Sequence, residues 1–112
     1  DLDIIIDDAS HNLRDILITF PIFFKKLKKN GIYVIEDMDQ LQVFKELNPY
    51  HNELTPKEIL SKIKKKENFQ SSFINNNDKN FLINNIKNIY FEKGSMLLKK
   101  KNVSDIAFIE KK

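Results

Sequence analysis

The sequence has no cysteine, which excludes disulfides and thiolate metal sites and leaves oxygen and imidazole as the ligands for any metal. Two glycines and three prolines are too few for long flexible linkers. No apolar run reaches the roughly 18 residues that a transmembrane helix needs. The opening Asp1-Leu2-Asp3 lacks the basic and apolar regions of a secretory signal. A starting methionine is also missing, and the chain runs at once into Ile4-Ile5-Ile6. We therefore expect a piece of a longer, cytoplasmic protein.

What remains is a composition suited to folding. The 112 residues are 41% hydrophobic and 11% aromatic, enough for one domain with a modest core. The charge balance is mild, 19 basic against 16 acidic residues. Lysines cluster at Lys25-Lys26, Lys28-Lys29, Lys64-Lys65-Lys66 and Lys99-Lys100-Lys101. Such clusters suit solvated helix ends, where they offset the helix dipole, better than a nucleic-acid surface.

Residues 3–7 form an unalternating β-branched run, the pattern of a strand buried on both faces in a parallel sheet. Leu13, Ile16, Leu17, Phe20, Phe23, Phe24 and Leu27 then fall at helical spacing, with Asn12 as the N-cap and Asp15 three residues on. Pro21 should kink or restart this helix, and Asn30-Gly31 should end it. Ile32–Ile35 reads as a second strand, so the first 37 residues form a strand–helix–strand unit with parallel strands. A short helix is expected at 40–47 and a loop at 48–52. Thr55-Pro56-Lys57-Glu58 starts another helix with a capping residue, a first-turn proline and a glutamate at the third position. Asp78 is expected to cap a short helix reaching Ile86. Ile89–Phe91 and Ile106–Ile109 should pair antiparallel at the sheet edge, joined by a loop at 94–104.

The two parallel strands both end in acids, Asp7-Asp8 and Glu36-Asp37. Parallel strands finish on one edge, and in open α/β sheets that edge is where ligands bind. Two unit charges about 5 Å apart repel by roughly 3 kcal/mol at an effective dielectric near 20. A divalent cation relieves that repulsion, and oxygen ligands favour Mg²⁺ or Mn²⁺. Asp7 is the weaker member, because neighbours on an extended chain point to opposite faces. His11 lies three residues after Asp8 and is held at the same rim, where an imidazole suits a general base. Simple helix capping by Asp8 or Ser10 is the plainer alternative.

Asp7-Asp8-Ala9-Ser10-His11, followed by Asn30-Gly31-Ile32-Tyr33-Val34-Ile35-Glu36-Asp37-Met38, resembles the paired motifs of the macrocin and mycinamicin sugar O-methyltransferases. Ala9 and Asn30 stand where that pattern has glycine. The resemblance covers residues 1–38 well and the last strand loosely. It implies the C-terminal half of a Rossmann-like, doubly wound S-adenosylmethionine-dependent methyltransferase domain spanning residues 1–112. The implied architecture is two parallel strands plus a C-terminal antiparallel hairpin, with helices on the faces. It further implies Asp8, Glu36 and Asp37 as ligands of Mg²⁺ or Mn²⁺, and His11 as the base for a hydroxyl of a sugar or similar small acceptor. The S-adenosylmethionine loop of that fold lies upstream of the matching motifs. Tyr50 and His51 fall in a stretch, residues 38–55, expected to form a mobile loop on the acceptor side. Two alternatives remain open: a non-catalytic Rossmann-like binding module, and a hydroxylase-like enzyme on the same scaffold.

Overall fold

The computed structural model describes residues 2–8, 10–42, 44–94, 97–98, 101–102 and 104–112. The elements run β1 (Leu2–Asp7), α1 (Leu13–Phe24), β2 (Leu27–Ile35), two 3₁₀ turns (Gln40–Gln42 and Lys45–Leu47), α2 (Pro56–Lys64) and α3 (Asn76–Asn85). They continue with β3 (Ile86–Glu92), a small β4–β5 ribbon (Leu97–Leu98 with Lys101–Asn102) and β6 (Ile106–Lys111). The fold is α/β, with a mixed four-stranded sheet in the order β1-β2-β6-β3. β1 and β2 pair parallel through α1, and β6 is antiparallel to both β2 and β3. The expected antiparallel pair is present, but of its two strands β6 lies inside the sheet and β3 alone lies at an edge.

Pairing β1 with β2 in parallel needs a crossover, and α1 supplies it. Asn12 caps α1 by accepting from the Asp15 amide at 2.8 Å. Its stripe of Leu13, Ile16, Leu17, Phe20 and Phe24 is buried against the sheet. Pro21 does not break the helix: it lies buried at the start of the last turn, where its missing N–H costs one intrahelical bond. The helix ends at Phe24, and Leu27 to Asn30, expected as its last turn, belong to β2. A register irregularity in the β1–β2 pairing accommodates them, with Asn30 at φ 66°. Gly31 is needed at this bulge, because a Cβ there would stand 2.9 Å from the Lys28 carbonyl oxygen and 3.1 Å from that of Asp3.

α2 begins with the full reciprocal capping box between Thr55 and Glu58. α3 is capped by Asn75 rather than Asp78: the Asn75 side chain accepts from the Asp78 amide, leaving Asp78 inside the first turn to meet Lys25 at 2.6 Å. The region 40–47 forms two 3₁₀ turns in place of one short helix.

The buried residues of all three helices join one cluster with Tyr33, Ile35, Ile89, Ala107 and Ile109 of the sheet. Strand alternation sends Ile4, Ile6, Val34, Tyr90 and Phe108 to the other face. There Ile4 and Ile6 are each 59% exposed and Tyr90 55%. Among the described residues, then, helices cover one face, where a doubly wound sheet carries them on both. The expectation that β1 is buried on both faces fails for the same reason: β1 is an edge strand with one bare face. No helix among the described residues is long and apolar enough to cross a membrane.

Candidate metal centre

The rim at the ends of β1 and β2 is built by the backbone. The register sets Asp7 opposite Ile35, and the Glu36 amide donates to the Asp7 carbonyl at 3.1 Å. Asp8 and Glu36, one step further along each strand, are therefore neighbours on one face by alternation. Asp7 goes the other way: the Thr19 hydroxyl of α1 donates to its carboxylate at 3.4 Å. Its charge, second to burial, also helps push the Tyr33 hydroxyl pKa up. The expected division between Asp7 and Asp8 is thus seen in the structure.

His11 and Asp37 both adopt left-handed backbone conformations, with φ 61° and 51°. For non-glycine residues such angles cost of order 1 kcal/mol or more and gather at sites where side chains must be aimed. Here they aim two side chains at one point. His11 Nε2 stands 3.8 Å from Asp8 Oδ1 and 4.0 Å from Asp37 Oδ2. One ligand atom from each of Asp8, His11 and Asp37 lies within 4.8 Å of the others. Opposite ligands around a single divalent ion at 2.0–2.6 Å stand about 4–5 Å apart, so the two carboxylates can share such an ion with the His11 imidazole beside it.

Glu36 falls outside that group of three but within its field. The Asp8 carboxylate beside it, followed by partial desolvation and Asp37, raises the Glu36 pKa above the usual carboxylate range. Of the four residues expected at the rim, the structure therefore converges three and sets the fourth against Asp8. Ala9, between them, lies outside the described residues.

Residues 38–55 contribute less than expected. Tyr50 turns inward, its ring 4.9 Å from that of Phe73. His51 is exposed and joins none of the ion pairs described.

A second charged cluster lies next to the rim, and sequence reasoning missed it. Asp39 and Asp105 are 3% and 7% exposed. Lys57 of α2 reaches both, at 3.7 Å from Asp39 and 2.8 Å from Asp105. Burial pushes the Asp39 pKa up to about 6. Burial opposes the Asp105 carboxylate too, but hydrogen bonds from Lys57, from Asp39 and from the Gly94 amide outweigh it and hold its pKa below the usual range. The hydrogen bond to Asp105 raises the Lys57 pKa. The three residues come from a loop, a helix and a strand entry, so only tertiary structure unites them. The available signal was an acid at 39 set between the apolar Met38 and Leu41.

Compared with known proteins, the chain matches no family model, no curated protein and no solved structure.

Proposed function

We propose that this chain carries the metal and general-base side of an O-methyltransferase site acting on a hydroxyl of a sugar or similar small acceptor. One observation carries the reading: the convergence of Asp8, His11 and Asp37 at the tips of two adjacent parallel strands. The Rossmann-like assignment and the methyl donor, S-adenosylmethionine, come from the resemblance alone. The residues here do not fit that cofactor. Gly31 lies inside β2 and Gly94 after β3, and neither opens a helix to form a cradle of backbone amides.

Asp8 and Asp37 would hold a Mg²⁺ or Mn²⁺ ion, with Glu36 as the third carboxylate. When bound, such an ion lowers the pKa of a hydroxyl that it polarises. His11 would accept the hydroxyl proton at Nε2, and the neighbouring carboxylates would stabilise the imidazolium that results. Positioning of the acceptor oxygen supplies much of the remaining rate.

The same distances favour one other reading. An imidazolium 3.8 and 4.0 Å from two carboxylates would offset part of their charge without a metal, as in a binding module that performs no transfer. Calorimetric titration with Mn²⁺ and Mg²⁺ separates the two. The wild type should bind, and Asp8→Ala and Glu36→Ala should bind about tenfold or more weakly. Equal binding by the variants removes this site assignment. For the base, His11→Ala in a protein that also carries the cofactor-binding half should lower methyl transfer by about 10²–10⁴-fold with Mn²⁺ affinity nearly unchanged. A matching loss of Mn²⁺ affinity would make His11 a ligand instead.

A further inference from the structure

The turn after β2 has one residue aimed outward and the next two locked inward. Asp37 faces His11 across the rim. Met38 is 1% exposed, and its amide donates to the Asp105 carbonyl at 3.2 Å. Asp39 is buried, accepts from the Gln42 side chain at 3.3 Å, and lies 3.7 Å from the Lys57 ammonium. The Gln40 amide closes the turn on the Asp37 carbonyl at 3.2 Å. Nothing in an extended or helical chain would hold Asp37 at φ 51°, so the surroundings must impose it.

Resting on the metal-site reading above, we propose that Lys57 is a positioning residue of that site. Its ammonium, shared between Asp39 and Asp105, clamps the turn so that Asp37 keeps its left-handed backbone and faces Asp8 and His11. The geometry is one-sided in a useful way. Lys57 is the one cation among the ion pairs described at these two buried carboxylates, and it comes from α2, whose first turn is fixed by the capping box at Thr55. The clamp therefore joins three elements, the β2 turn, the entry to β6 and the start of α2, immediately behind the residue that must point forward. Supports of this kind orient metal ligands, and losing one commonly weakens the metal by about 10–100-fold.

The test uses the whole chain and two readouts. Lys57→Met should speed amide hydrogen exchange at Met38 and Gln40 about tenfold relative to Tyr33 and Val34 in the sheet. It should also weaken Mn²⁺ binding, read by electron paramagnetic resonance, about tenfold or more. Lys57→Arg, which keeps the cation, should restore both. If Lys57→Met leaves two buried carboxylates too unstable to fold, Lys57→Met combined with Asp39→Asn removes one of the charges and carries the same expectation. Wild-type protection at Met38 and Gln40 would overturn the proposal. So would faster exchange there matched by Tyr33 and Val34, or faster local exchange with unchanged Mn²⁺ affinity. If wild-type protein takes up no Mn²⁺, the metal reading fails on its own, and selective exchange at Met38 and Gln40 still decides whether Lys57 holds the turn.

Discussion

Asp7 and Asp8 are adjacent in sequence and serve opposite sides of the sheet. Asp7 accepts from Thr19 on the helical side, while Asp8 meets His11 at the open rim. Asp8→Asn should weaken Mn²⁺ binding about tenfold or more. Asp7→Asn should leave it within roughly twofold, since its charge acts only at longer range. Calorimetry on both variants checks the division; equal losses would show that the two acids act together.

Glu36 should titrate above the ordinary carboxylate range because Asp8 stands beside it. A folded-state pKa raised above the unfolded value favours folding most when the group is protonated. Glu36 therefore works against the folded state progressively as pH rises through its own midpoint. Carboxyl-carbon NMR titration should find the Glu36 midpoint moving down toward the usual range in Asp8→Asn. An unchanged midpoint would mean that Asp8 is not its neighbour in solution.

Asp39, with its pKa pushed up to about 6, gives a pH-dependent stability of known sign. Between the unfolded value of 3.8 and about 6 the folded state binds more protons, so this residue's contribution falls as pH rises and levels off above that window. Asp39→Asn removes the ionisation. Relative to wild type its stability should improve by on the order of 1–2 kcal/mol from pH 4 to pH 7, read from urea unfolding at each pH. A difference independent of pH would contradict the burial-driven shift.

Thr55→Ala should cost about 0.5–2 kcal/mol by removing the capping box of α2. Because Lys57 sits in that first turn, the loss should also loosen the Asp39 and Asp105 pairs. Chemical denaturation measures the first effect, and faster exchange at the Met38 amide reports the second.

The parts of this molecule that follow from local chemistry were legible in the sequence. Asn12 and Thr55 announce their helices because a capping side chain acts within three residues. Acids at the ends of two parallel strands announce a shared rim because parallel strands finish together. Pro21 misled because its cost depends on distance from the helix end, which the apolar stripe overstated by running on through Leu27. The bare sheet face was hidden because a β-branched run reads the same whether one face or both are covered. The left-handed angles of His11 and Asp37, and the Lys57 clamp behind them, are tertiary facts that no local pattern encodes.

The cation site itself is open to one decisive reading. Substoichiometric Mn²⁺ added to isotope-labelled protein broadens nearby NMR signals through its unpaired electrons. A single ion held by Asp8 and Asp37 beside His11 should erase the His11 imidazole signals and the amides of Asp8, Glu36 and Asp37 first, leaving those of Glu53 and Glu67 sharp. Broadening spread over the exposed acids, or none at the rim, would leave these residues as an ion-paired turn without a metal.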